Sequence, residues 1–175
     1  MKKNKLALSL SLVGVTLITA GCIPEEDDSS FSLSSFEVTT TSKNDAGTSV
    51  IDPNENNGEF TLNWKASFGN TPSRLYFATV SVSSDSVLDD SDAELFGQNC
   101  GTISGLYNCG ETGSISCTFD TDNVVSCPQL TNSDTNLNSY ISENGLPNYI
   151  ILEACAYDAT MNLNCFEKSQ EVEFR

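Results

Sequence analysis

Carboxylates are the side chains of this sequence best suited to chemistry, and they are concentrated in one short segment. Five of them fall within ten positions between two apolar runs: Asp85, Asp89, Asp90, Asp92 and Glu94. Calcium prefers oxygen ligands of this kind, and one loop can supply several of them. Acidic side chains are also usually exposed and solvated. We therefore predict no metal and no other cofactor, and keep these five residues as the candidates for a calcium site.

A second segment has the opening of a calcium-binding loop. Asp52, Asn54 and Asn56 occupy alternate positions, as in an EF-hand. Gly58, however, comes one position late, and Asn63 stands where a glutamate should close the loop. We interpret this segment as a loop that leads into the following strand.

Histidine is absent from the chain. This excludes the catalytic triads that use histidine as the base and the zinc sites that use it as a ligand. Two carboxylates could still hydrolyse a glycosidic bond, but nothing in the sequence pairs two acids across a cleft. We predict that the protein is not an enzyme, with a small carboxylate-based hydrolase as the catalytic alternative.

Six of the seven cysteines are spaced for local disulfides. The predicted pairs are Cys100–Cys109, Cys117–Cys127 and Cys155–Cys165. The second pair sets Phe119 opposite Val125 in a hairpin, and the third sets Tyr157 opposite Leu163, so apolar residues face each other in both. Each bridge closes a loop of about ten residues, which corresponds to roughly 2.5–3 kcal/mol in the chain-entropy model. Disulfides also require an oxidising compartment.

A nested arrangement is the alternative for the first four cysteines. Cys109 would bond to Cys117 inside a Cys100–Cys127 bridge. The two bridges differ in register by one residue, so this pairing requires a β-bulge. We favour the sequential pairs.

Residues 1–21 have the layout of a secretory signal peptide. Lys2, Lys3 and Lys5 precede an uncharged run over residues 6–20. That run is shorter than the roughly 20 residues needed to span a bilayer.

The end of this segment resembles the lipobox of bacterial lipoproteins. It reads Ile18-Thr19-Ala20-Gly21-Cys22, with threonine where leucine is commonest. The resemblance implies cleavage after Gly21 and acyl chains, such as palmitate, on Cys22. Two chains give a stable membrane anchor. Ordinary secretion with cleavage near Ala20 is the alternative, but it leaves an odd free thiol in a secreted protein.

The rest of the chain follows from this anchor. Residues 22–30 form an acidic tether, and residues 31–175 form one domain. The residue after the anchor is Ile23 rather than aspartate, which by the sorting rule of Gram-negative lipoproteins implies the outer membrane.

Without the three early lysines, five basic residues face 24 acidic ones, a net charge of −19. Such a charge excludes nucleic acid as a partner and opposes docking on anionic lipid head groups.

Alternating apolar residues predict an all-β domain. The clearest run is 59–68, in which every second residue is apolar. The other predicted strands cover residues 32–40, 74–82, 149–157 and 165–174. We predict one helical turn over residues 91–96, because Ser91 and Glu94 have capping-box spacing. Short strands separated by polar turns indicate a β-sandwich.

Two segments resemble fibronectin type III and immunoglobulin-like modules. Phe60, Leu62 and Trp64 resemble the second strand of these modules, and residues 145–157 with the hairpin that follows resemble their last strand pair. The resemblance implies a single sandwich, to which the cysteine spacing adds three local disulfides that are not typical of fibronectin type III modules. It assigns no functional residue, because such folds have many functions.

Aromatic side chains are the remaining candidates for binding. Trp64 shares a face with Phe60 and Leu62 and is expected in the core. Tyr149 and Tyr157 lie on the opposite face from Ile150, so we predict that they form an exposed contact patch.

We expect a membrane-anchored binding or structural module of the cell envelope with a protein or glycan partner. The alternative is a calcium-dependent adhesion module.

Overall fold

The computed structural model describes residues 31–69, 75–101, 111–128 and 134–175. In chain order, the elements are β1 (Ser32–Thr40), β2 (Ser42–Lys43), β3 (Ser49–Ile51), a 3-10 turn (Asn56–Gly58), β4 (Glu59–Ser67), β5 (Leu75–Ser83), β6 (Ala93–Gly101), β7 (Thr112–Phe119), β8 (Val124–Ser126), β9 (Asp134–Asn136), α1 (Asn138–Asn144), β10 (Tyr149–Tyr157) and β11 (Leu163–Phe174). The prediction of an all-β fold is confirmed for these residues.

The strands form two sheets. The first has the order β1-β4-β7-β8-β9, and the second has the order β2-β3-β11-β10-β5-β6. All described pairs are antiparallel except β3 with β11. The predicted signal peptide, the predicted tether and Cys22 lie outside the described residues.

The apolar faces of the two sheets pack against each other. Phe174 of β11 contacts Phe60 and Phe119 of the first sheet, with ring centroids 6.4 and 5.1 Å apart. Trp64 Nε1 donates a hydrogen bond to the Tyr76 hydroxyl at 2.8 Å, which joins β4 to β5. Trp64 is 1% exposed, so this residue belongs to the core as its periodicity predicts.

Gln170 of β11 joins the two sheets through β1. Its Oε1 accepts the N–H of Val38 at 2.7 Å, and its Nε2 donates to the Val38 carbonyl at 2.9 Å. The side-chain amide thus satisfies two backbone groups in the way that a neighbouring strand would. This contact holds β1 against the second sheet.

Two of the predicted disulfides are present, Cys117–Cys127 and Cys155–Cys165. The predicted registers hold as well, because Phe119 pairs with Val125 and Tyr157 pairs with Leu163. The nested alternative is excluded, since Cys117 bonds to Cys127. Cys100 is also disulfide-bonded, but its predicted partner Cys109 lies outside the described residues.

The predicted helical turn over residues 91–96 is wrong. β6 begins at Ala93 and pairs with β5. A register shift between Val80 and Ser81 places a bulge in β6, and Leu95 and Phe96 are both buried there although they are consecutive. Burial of these two side chains and the hydrogen bonds to β5 outweigh the local capping pattern.

Candidate functional site

The outer face of the second sheet carries a concave apolar groove of about 780 Å³, at the end where β5 begins and β10 turns into β11. Phe77, Tyr157 and Leu163 border it and are 43%, 53% and 53% exposed. We call this site the outer groove and define it by the residues Leu75, Phe77, Glu153, Cys155, Tyr157 and Leu163. A patch of large apolar side chains that are exposed to solvent commonly marks an interaction site.

Cross-strand pairing brings these side chains together. Phe77 lies opposite Cys155, which is bonded to Cys165, so one row crosses β5, β10 and β11. Tyr157 and Leu163 form the next row toward the hairpin turn. Directly opposed residues of antiparallel strands have Cβ atoms about 4.5–5.5 Å apart. The rows therefore form one continuous surface on a backbone that a disulfide constrains.

Gly97 leaves room for the ring of Phe77 at the border of the groove. A Cβ added at Gly97 would lie 2.8 Å from Cζ of Phe77, so the ring lies across β6 above Gly97. Glycine inside a strand often marks such a close approach, and aromatic rings stabilise a sheet by covering glycines. The ring therefore lies against β6 while Phe77 remains 43% exposed.

Glu153 places a carboxylate beside the disulfide. Its carboxylate oxygen and the two sulfurs of Cys155 and Cys165 lie within 4.8 Å of one another. These sulfurs are bonded to each other and are not thiolates, so they do not offer the usual metal ligands. The three side chains therefore do not form a metal site.

A second carboxylate lies directly opposite the first. Glu153 pairs with Glu167 across β10 and β11, on the same face of the sheet. Like charges in directly opposed positions are destabilising. In the described part of the chain, neither side chain has a hydrogen bond or an ion pair, and the ion pair that is present joins Arg175 to Glu173.

The two tyrosines predicted as one contact patch lie at opposite ends of β10. Tyr157 borders the outer groove, whereas Tyr149 pairs with Ser83 at the other end of the strand. Eight residues of strand separate the two tyrosines by roughly 26 Å. The structure thus groups Tyr157 with Phe77 and Leu163, neither of which is a candidate binding residue on sequence grounds.

The acidic loop between β5 and β6 uses its carboxylates to hold its own backbone. Asp85 Oδ1 accepts the N–H of Val87 at 2.8 Å, and Asp89 Oδ1 accepts the N–H and the hydroxyl of Ser91 at 2.7 and 2.6 Å. The bonds from Ser91 lower the pKa of Asp89. Asp92 Oδ2 accepts the N–H of Asp89 at 2.9 Å. The structure places Asp85, Asp89, Asp90 and Asp92 in one loop and Glu94 in β6, and within the described ranges no three of these carboxylates lie within 4.8 Å of one another.

The segment with an EF-hand-like opening forms a turn. Asp52 Oδ1 accepts the N–H of Asn54 at 2.8 Å and its side-chain amide at 3.1 Å, and the Asp52 carbonyl accepts the N–H of Glu55 at 2.9 Å. The 3-10 turn and β4 follow directly. Its interpretation as a loop leading into a strand agrees with this geometry.

Asp158 organises the turn beside the outer groove. Its Oδ1 accepts the N–H groups of Thr160 and Asn162 at 2.8 and 2.9 Å and the Thr160 hydroxyl at 2.8 Å. The side-chain bond from Thr160 and the backbone bond from Asn162 are the main reasons why the pKa of Asp158 falls to about 2. The ionised carboxylate therefore fixes the hairpin that carries Tyr157 and Leu163.

A scan against family models, a search of curated proteins and a search of solved structures each found no match for this chain. Within the described residues, no helix combines the length and the apolar character needed to cross a bilayer.

Proposed function

We propose that this protein is a binding module of the cell envelope, anchored through lipid on Cys22, which recognises a protein or glycan partner through the outer groove without catalysis. The observation that carries the proposal is the joint exposure of Phe77, Tyr157 and Leu163 on a disulfide-constrained sheet. Such a site offers a partner apolar contacts whose geometry is already fixed, and this lowers the entropic cost of binding.

The strand order supports an immunoglobulin-like sandwich of the fibronectin type III kind. Without the short strands β2 and β3, the long strands in chain order are β1, β4, β5, β6, β7, β10 and β11. The first, second and fifth of them share one sheet, and the third, fourth, sixth and seventh share the other. Six of them correspond to strands A, B and E facing C, F and G of an immunoglobulin-like module, and the fourth, β6, takes the place of C′ at the edge beside C. β8 and β9 are additions to the first sheet.

The arrangement of acids supports binding rather than hydrolysis. Glycosidases place two carboxyl groups on either side of the bond that they cleave. Glu153 and Glu167 are instead neighbours on one face of one sheet. A partner laid over the groove would meet both of them from the same side.

Site-directed photo-cross-linking in intact cells tests the groove. A benzophenone amino acid at position 163 is expected to cross-link a defined partner, and Phe77→Ser in the same chain is expected to abolish that product. The same probe at position 87 is the control, because Val87 is 63% exposed but lies in the loop at the far end of β5. Equal products from the two positions, or a product indifferent to Phe77→Ser, would contradict the proposal.

Cys22→Ser tests the anchor. Lipidation and lipobox cleavage both need the cysteine, so the variant is expected to accumulate as an uncut precursor without acyl chains. Metabolic labelling with an alkyne fatty acid and the size of the intact protein measure this. A variant that is processed normally and still acylated would refute the anchor.

A further inference from the structure

Glu153 in the outer groove and Glu167 beside it carry negative charge for which the described part of the chain supplies no counter-charge. Glu153 and Glu167 have no described hydrogen bond or ion pair. Lys168, the adjacent base on β11, pairs with Leu152 and so belongs to the other face of the sheet. A like-charged pair without compensation costs stability, and it would be compensated by a cation that the protein binds.

The surroundings of Glu153 favour an organic cation on an apolar stem. Its carboxylate leans toward the disulfide, and Phe77 lies in the neighbouring cross-strand row. Lysine and arginine lay an alkyl stem along apolar surface and keep the charged head at a polar group. A cationic head over an aromatic face gains a further cation–π attraction. A small hydrated metal ion would use none of the apolar surface.

The charge of the whole chain favours the same kind of partner. Its formal net charge is −16. A field of that sign speeds the encounter with a basic partner and repels an acidic one. A neutral glycan could donate hydroxyl hydrogen bonds to the carboxylates but would gain nothing from this field.

We propose that the outer groove recognises a basic segment of a partner protein, with an arginine or lysine head group at Glu153 and Glu167 and apolar side chains against Phe77, Tyr157 and Leu163. This inference rests on the proposed binding function and specifies its partner. Arginine fits both carboxylates through its forked donors. Apolar residues two positions before and after it would point to the same side in an extended segment and reach the apolar rows.

Fluorescence anisotropy with the full chain purified from membranes tests the proposal. The probes are three fluorescein-labelled peptides, Leu-Ser-Arg-Ser-Leu, the same peptide with neutral citrulline for arginine, and the same with glutamate. The arginine peptide is expected to bind at least about tenfold more tightly than the citrulline peptide, and Glu153→Gln to remove most of that difference. The glutamate peptide is expected not to bind.

Glu171→Gln is the matched control, because Glu171 is an exposed acid on the neighbouring strand β11 and lies opposite Tyr149, away from the groove. It removes the same formal charge and is expected to change affinity less than twofold. Equal binding of the three peptides, no binding of any of them, or equal effects of Glu171→Gln and Glu153→Gln would overturn the inference. So would chitotriose that binds in a manner dependent on Phe77 but not on Glu153, since this would indicate a glycan partner.

The photo-cross-link at position 163 separates failure of the inference from failure of the proposed function. If the cross-linked product survives Glu153→Gln at full yield, the groove still binds a partner but its charge does not select that partner. If the product is absent from the wild-type chain as well, the proposed function fails together with the inference.

Discussion

Trp64 is placed by a glycine on the strand beside it. A Cβ added at Gly113 would lie 2.0 Å from Cε2 of the indole, so the ring rests directly on the β7 backbone. The same ring carries the Nε1 hydrogen bond to Tyr76 that joins the two sheets. The indole of Trp64 can thus occupy this position in the core only because residue 113 has no side chain.

Gly113→Ala is expected to destabilise the protein by about 1–3 kcal/mol, because overpacking forces the indole from its site. Denaturant unfolding measures the loss. Trp64 is the single tryptophan of the chain, so its fluorescence spectrum reports whether the ring has moved. Gly47→Ala is the comparison, since nothing lies within 4 Å of a Cβ at that position and only its positive φ is strained. An unchanged emission spectrum in Gly113→Ala would contradict this account.

The Asp158 turn gives the groove a defined dependence on pH. The pKa of Asp158 is about 2 in the folded protein, below its usual 3.8, because Thr160 and Asn162 donate to the ionised carboxylate. A carboxyl group whose pKa is lower in the folded than in the unfolded protein stabilises the folded state at pH values above its unfolded pKa. This stabilisation is lost as the pH falls toward its folded pKa. The turn is therefore expected to be fully ordered above about pH 4 and to loosen between about pH 4 and pH 2.

Carbon-13 NMR of the Asp158 carboxyl measures this directly, with an expected midpoint near 2. Asp158→Asn removes the titrating group, so the amide signals of Thr160 and Asn162 should lose most of their pH dependence over this range. If the carboxyl titrates near 4, or if these amides respond equally in the variant, the explanation fails.

At the scale of elements, Gln170 fixes β1 across the two sheets. Val38 is 1% exposed, so loss of the amide would leave its N–H without a partner inside the core, while its carbonyl would keep the bond from the Ser49 hydroxyl. Gln170→Leu is expected to cost about 1–3 kcal/mol. The Val38 amide should exchange its hydrogen much faster than the loss of global stability alone would cause. Glu171→Leu, an exposed change at the next residue, should leave the free energy of unfolding within about 0.5 kcal/mol of wild type. Unchanged exchange at Val38 would rule out the bridge.

The hairpins could be predicted from the sequence because covalent spacing restricts their register. Once Cys155 is assumed to pair with Cys165, an antiparallel register is determined, and Tyr157 must then face Leu163. The strands with clean alternation were predictable for a related reason, since a slip of one residue would turn the apolar face of Phe60, Leu62 and Trp64 to solvent.

β6 and the outer groove could not be predicted in the same way. The bulge in β6 interrupts the alternation, and the fragment from Ser91 to Glu94 in isolation matches a helix start. The groove depends on which strands are neighbours: Phe77 and Cys155 are 78 positions apart in sequence and meet only because β5 pairs with β10. The available signal was Phe77 itself, an aromatic residue on the polar side of the alternation of Tyr76 and Ala78.

At the scale of the molecule, excess negative charge dominates, and it complicates any search for a specific cation. The domain is expected to carry a net charge of −19 after cleavage, so dissolved cations will stabilise it by general screening. The acidic loop adds local charge, but Asp85 and Asp89 already accept bonds from Val87 and Ser91. A calcium ion bound there would have to gather carboxylates that are now apart and compete with these turn contacts.

Thermal melts of the full chain in calcium, in magnesium at equal ionic strength and in chelator separate the two effects. Screening does not distinguish the two cations, so we expect the calcium and magnesium midpoints to agree within about two degrees. A specific site occupied at a hundredfold excess over its Kd would add about 2.7 kcal/mol, and hence a rise of several degrees in a domain of this size. A calcium-specific rise of that size, abolished by Asp89→Asn with Asp90→Asn, would contradict the expectation. It would also favour a calcium-dependent adhesion module, because the carboxylates of the acidic loop would then bind an ion instead of the backbone of the loop.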